Sequence, residues 1–151
     1  MIEANELIKC MTLIYRQQHD IYKEILSLVM QEEELIRAEN DLALSGLLQA
    51  QENLIQEARL LNDAIKNLKG ILLYALPVKG LSIEQLVFIV RPEVYISLSS
   101  IIFEINSLFL KIHDKKGTNA LLTEKRWPQE IVEKRPVELT VSQIKHYAAM
   151  G

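Results

Sequence analysis

Apolar residues recur through the first 68 positions at the alternating three- and four-residue spacing that gathers them on one side of an α-helix. Leu7, Ile14, Ile21, Leu28 and Leu35 fall every seventh residue, with Met11, Gln18, Ile25 and Glu32 between them. A neighbouring row, Ile8, Tyr15, Tyr22, Val29 and Ile36, is also apolar. A stripe this wide exceeds the needs of a two-stranded coiled coil and calls for more than one partner. Beyond Glu39-Asn40-Asp41 the pattern resumes as Leu47, Leu54, Leu61 and Leu68, interleaved with Leu44, Gln51, Ala58 and Ile65 and broadened by Leu48 and Ile55.

Asn40 and Asp41 suit a helix start, since a short side-chain oxygen accepts a bond from an otherwise unpaired helix N–H. The pattern therefore predicts an antiparallel hairpin whose first helix runs from about Glu3 to Ala38, roughly 54 Å at ~1.5 Å per residue. Folding the two patterns together puts Gln18 near Leu61 and Leu28 near Gln51. Gln18 and Gln51 are then expected to be partly exposed or to set register. Gln31-Glu32-Glu33-Glu34 reads as a solvated face, with Glu32 on the seam but close enough to the hairpin end for its side chain to reach water.

Past Leu68 the heptad breaks. Gly70 either ends or interrupts the second helix, and Pro77 with Gly80 marks a connection whose apolar residues need cover. Ser82 and Gln85 have capping-box spacing and predict a short helix over Ile83 to Val90. Arg91-Pro92 closes that element and opens a third long helix. There Val94, Ile101 and Leu108 alternate with Leu98, Ile105 and Ile112, beside a second row of Tyr95, Ile102 and Phe109. After Ile112 the seam is lost, although Leu121 and Leu122 extend the helix across a weak point at Gly117. From Trp127 the character changes again. Pro128 and Pro136 interrupt the chain, Val137 to Val141 alternates like a strand with nothing to pair with, and Ser142 to Met150 has the makings of one or two helical turns. Trp127 is expected to pin this stretch to the bundle. The expected fold is all-α: an elongated antiparallel helical bundle over 1–126 with a third long helix, and an irregular tail or partner-binding arm over 127–151.

Composition narrows the function. The chain has 151 residues, 49% hydrophobic and 25% charged, with five glycines and four prolines, as expected of one helical domain. The apolar runs near Gly70 to Val78 and Leu81 to Val90 are too broken to span a membrane. The N-terminal residues lack the basic and apolar regions of a secretory signal, and the single Cys10 has no partner for an internal disulfide, so a cytoplasmic protein without membrane insertion is expected. Net charge is −6 over residues 1–110 and +3 over 111–151. An acidic body argues against nucleic acid, which favours a basic patch. Enzyme chemistry is not expected either. The residues three before His19, His113 and His146 are Arg16, Leu110 and Gln143, so no Glu-x-x-His metal motif exists, and there is no zinc cluster, phosphate loop or nucleophile elbow. No cofactor is implied.

A helical rod of this kind works by binding another chain, through a groove between long helices that accepts an amphipathic partner helix. Ile101, Ile102, Ile105, Leu108 and Phe109 are the candidates to serve both core and groove. Homo-oligomerisation of a structural coiled coil through the same stripes is the alternative, and a homodimer is left open.

Residues 7 to 124 resemble the FlgN-type flagellar export chaperones. The likeness rests on the Leu/Ile heptad with Gln18, Tyr22 and Gln31 to Glu34, the Asn40-Asp41 turn, and Leu47-Leu48, Gln51-Glu52 and Leu54-Ile55. It continues through Ser82-Ile83, Leu86, Leu98, Ile101, Ile105-Asn106 and Asn119-Ala120-Leu121-Leu122. The resemblance implies a cytoplasmic chaperone that binds the helical C-terminal ends of hook-associated junction proteins, prevents their early assembly and delivers them to the flagellar type III export machinery. By position it also implicates Asn106, Asn119, Leu121 and Leu122 in partner binding. Gly117 and the stretch from Trp127 to Gly151 depart from the family pattern.

Overall fold

The computed structural model describes residues 2–75, 85 and 90–126. The predicted connection at Pro77 and Gly80, nearly all of the short helix over Ile83 to Val90, and every expectation for Trp127 to Gly151 fall outside them. Among the described residues three long helices make up an all-α bundle: α1 (Ile2–Arg37), α2 (Asp41–Ala75) and α3 (Pro92–Arg126). The α2 helix passes through Gly70, and α3 passes through Gly117. Nothing lies within 4 Å of a Cβ built at either glycine, so both occupy exposed helical surface where small size costs no packing.

The turn between α1 and α2 is three residues long. Glu39 adopts a left-handed conformation, φ 58°. Its N–H donates to the Ile36 carbonyl at 3.2 Å and that of Asn40 to the Leu35 carbonyl at 3.1 Å. This is the Schellman arrangement that satisfies the last carbonyls of a helix, with glutamate where glycine is usual. Asn40 then caps α2, its Oδ1 accepting from the Ala43 N–H at 3.2 Å.

The central helix is α1. Both α2 and α3 make their close backbone approaches to it and have next to none with each other. That arrangement explains the wide stripe, and it shifts the seam. The deepest positions on α1 are Ala4, Ile8, Met11, Tyr15, Gln18, Tyr22, Ile25, Val29, Glu32 and Ile36. Leu7, Ile14, Ile21, Leu28 and Leu35 are half-buried along one flank. With two neighbours to face, the centre of the stripe turns toward the space between them. On α3 the expected rows hold: Val94, Leu98, Ile101, Ile105, Leu108 and Ile112 are all buried. Tyr22 meets Phe109 with ring centroids 4.5 Å apart and planes tilted by 57°.

Toward the hairpin end the seam keeps its spacing but becomes polar, contrary to the expected loss of pattern after Ile112. Lys116, Asn119 and Thr123 continue the buried face of α3. Lys116 Nζ donates to Glu32 Oε1 on α1 at 2.8 Å and to Gln51 Oε1 on α2. Gln51 Nε2 closes the triangle on Glu32 Oε1 at 3.0 Å. Glu32 is 1% exposed, Gln51 2% and Lys116 0%, so the expectation that Glu32 reaches water is corrected: it is buried against a lysine from a helix not visible to a two-helix register argument. Beside it, Asn119 Nδ2 donates to the Val29 carbonyl at 2.9 Å. At the surface, Lys115 and then Arg37 hold the Glu33 carboxyl below its usual range. Arg126 Nη2 lies 2.8 Å from Asp41 Oδ1. Gln18 Nε2 donates to the Ala58 carbonyl at 3.3 Å, one turn from Leu61, while Gln51 finds Glu32, one turn beyond Leu28. The expected register lies between these two contacts, and both glutamines are buried, not partly exposed, each hydrogen-bonded across the hairpin.

Candidate partner-binding face

The start of α3 is tied to α1, because Asn5 Oδ1 accepts from the Arg91 N–H at 3.0 Å. Pro92 begins the helix, and the Arg91 carbonyl accepts from the N–H groups of Val94 and Tyr95 at 3.0 and 3.1 Å. Thereafter the heptad decides which way each side chain faces.

The nine residues singled out from sequence divide into three groups. Ile101, Ile105, Leu108, Phe109 and Asn119 are buried among the three helices. Ile102 and Asn106 are half-buried. With Tyr15, Gln18, Tyr22, Asn62, Ile105 and Phe109 they line a crevice of about 10 Å³ between α2 and α3, with α1 as its floor. That volume holds no more than a single water, so the groove is filled by the bundle's own side chains. Leu121 is exposed and Leu122 half-buried. The Oδ1 of Asn119 is buried without a hydrogen-bond partner, so this side chain is only half satisfied.

A row overlooked in the sequence faces outward. Ile96, Phe103 and Leu110, 59%, 73% and 66% exposed, sit seven residues apart on the side of α3 turned away from α1. The same spacing argument would have found them, since they form a third apolar row on this helix. Around them lie Ser99, Ser100, Asn106 and Ser107, and Glu104 is the only charged residue between Val94 and Leu110. Glu104 is itself engaged, its Oε2 lying 3.3 Å from His19 Nε2. From Ile96 to Leu110 the row runs about 21 Å at ~1.5 Å per residue. A contiguous exposed apolar strip of this kind marks an interaction surface more often than a scattered leucine does.

The same composition gives α3 an 18-residue window of mean hydropathy 1.3, long and apolar enough to cross a membrane by length and composition, a test that the core helix of a helical bundle also passes. A second depression of about 370 Å³ lies between α1 and α3, lined by Lys9, Thr12, Leu13, Arg16, Glu93, Val94 and Ser97. Among the described residues no three His, Cys, Asp or Glu side chains are grouped to hold a metal ion. No family model matches this chain, and comparison with curated proteins and with solved structures finds no significant match.

Proposed function

We propose that this chain is a cytoplasmic export chaperone of the FlgN type. It binds the helical C-terminal segments of hook-associated junction proteins, keeps them from assembling early and passes them to the flagellar type III export machinery. The observation that carries the reading is the outward row Ile96, Phe103 and Leu110 on a helix whose opposite side already fills the core. An amphipathic client helix presents apolar anchors every three or four residues, which suits a strip several turns long and nearly free of charge. Ile102 and Asn106 border that strip, and Leu121 continues the outward apolar surface further along α3. A strip this narrow supports modest affinity, which a hand-off requires.

The test is sedimentation of the full chain with a synthetic peptide corresponding to the C-terminal helical segment of a hook-associated protein. A stoichiometric complex is expected, weakened at least tenfold by Phe103→Glu, with pull-down from a flagellated lysate recovering hook-associated proteins. A peptide that leaves sedimentation unchanged would overturn the proposal.

A further inference from the structure

The α3 helix is docked by two kinds of seam that meet at Ile112. Up to that residue it buries Val94, Leu98, Ile101, Ile105, Leu108, Phe109 and Ile112. From His113 to Arg126 none of its apolar side chains is fully buried: Lys116, Asn119 and Thr123 hold the inward positions, while Ala120 and Leu122 are half-buried. At the same end of the hairpin, Ile36, Leu44 and Leu47 are buried but lie outside the continuous apolar core. We propose that the stretch from His113 to Arg126 is a latch, which releases from the α1–α2 hairpin as one unit while the rest of α3 stays docked. This device stands on the seam alone and is independent of the chaperone reading.

The specific ties that hold the stretch to the hairpin are polar. Lys116 donates to Glu32 and Gln51, and Asn119 donates to the Val29 carbonyl. Nearer the surface Lys115 pairs with Glu33, and Arg126 reaches both Asp41 and the Ile36 carbonyl. A buried ion pair returns in attraction little more than its dehydration costs, and exposed pairs add little, whereas every buried apolar side chain contributes its own transfer free energy. The far end of α3 is thus held less firmly than the near end. Release of the whole stretch rehydrates Lys116 and Glu32 together, so neither charge is left stranded. Closed, Lys116 sits between Glu32 and Gln51; open, the hairpin presents that carboxylate and amide with no cation between them.

A second observation points the same way. His113 Nδ1 and Asn119 Oδ1 are both buried without a hydrogen-bond partner, and both lie in this stretch. A polar atom in that state carries an unrecovered desolvation cost, which water removes on opening. Gly117 lowers the helix propensity of the same stretch. Once undocked, a helical segment this short is marginal in water, so release and loss of its backbone hydrogen bonds are a single event. On the near side of the boundary Phe109 and Ile112, 3% and 0% exposed, keep the helix in place.

Native-state hydrogen exchange of the full chain, followed by NMR in urea concentrations below the unfolding transition, tests the latch. The amides of residues 116–124 are expected to exchange through one shared opening, with protection ~100-fold below that of residues 98–109 and little dependence on urea. Asn119→Leu, which removes an unpaired buried acceptor, should raise protection across 116–124 by roughly tenfold and leave 98–109 unchanged. Amides of both stretches that merge on one urea dependence would overturn the proposal, since α3 would then undock only with global unfolding. Protection that falls residue by residue toward Arg126 would overturn it as well, because that is ordinary fraying of a helix end. Unchanged protection in Asn119→Leu would show that the polar seam does not set the opening.

Discussion

The two halves of the bundle are built on one heptad spacing but from different chemistry. In one half, Ile8, Met11, Tyr22, Ile25, Leu98, Ile105, Phe109 and Ile112 bury apolar surface. In the other, Glu32, Gln51, Lys116, Asn119 and Thr123 occupy equivalent seam positions: the first three hydrogen-bond to one another, Asn119 donates to the Val29 carbonyl and Thr123 to the Asn119 carbonyl. Apolar packing is forgiving of a slip by one turn, because a leucine finds another leucine. A buried lysine that needs one carboxylate and one amide is not. The apolar half supplies most of the stability, and the polar half fixes which turn of each helix faces which.

The sharpest way to break this contrast is Lys116→Ala. Removing the cation strands the Glu32 carboxylate in the core, and a loss of about 3–5 kcal/mol in urea unfolding is expected. Replacing Glu32, Gln51 and Lys116 together by leucine should have the opposite outcome: equal or higher stability, by up to ~4 kcal/mol, with several sets of amide resonances reporting loss of a single register. A triple variant that keeps one set of resonances would show that register is fixed elsewhere. In the apolar half, Leu98→Ala removes a fully buried side chain and should cost about 2–5 kcal/mol while leaving a single register.

A smaller effect separates the halves by pH. Burial pushes the Tyr15 phenol up to about 12. A raised folded-state pKa means that the stabilisation is fully present below the ordinary tyrosine value of ~10 and is lost as pH rises through about 12. Unfolding of the native chain should thus weaken by roughly 2–3 kcal/mol over that interval relative to Tyr15→Phe, which lacks the titrating group. A difference between the two chains that stays constant with pH would contradict this. The smallest expected change is at Gly117, where an added Cβ meets nothing within 4 Å. Gly117→Ala should stabilise by about 1 kcal/mol through helix propensity alone, read from the thermal midpoint.

The sequence made the three helices legible because each carries apolar residues in heptads over several turns and the turn at Asn40 uses ordinary capping chemistry. It also placed Gln18 and Gln51 within one turn of their actual neighbours. The polar seam on α3 stayed hidden because Lys116 and Asn119 look like surface residues until Glu32, 84 positions earlier, and Val29 are brought against them. The centre of the stripe on α1 stayed open for a related reason: periodicity fixes a stripe but not its centre, which depends on where both neighbours stand. On the candidate partner-binding face, attention to residues of double duty favoured Ile101, Ile105 and Leu108, which the core absorbs. The outward Ile96, Phe103 and Leu110 carried the same seven-residue signal on the exposed side of α3.

The tight turn at Glu39 and Asn40 bears on how the chain is made. Its three linking residues let α1 and α2 meet at little loop-closure cost, whereas α3 must span a longer separation in sequence to reach α1. During synthesis the first 75 residues can zip into a hairpin while α3 is still inside the ribosome. The nascent hairpin carries Glu32 and Gln51 on its open side, and the late arrival of Lys116 completes the set, so the final docking step is also the one that checks alignment.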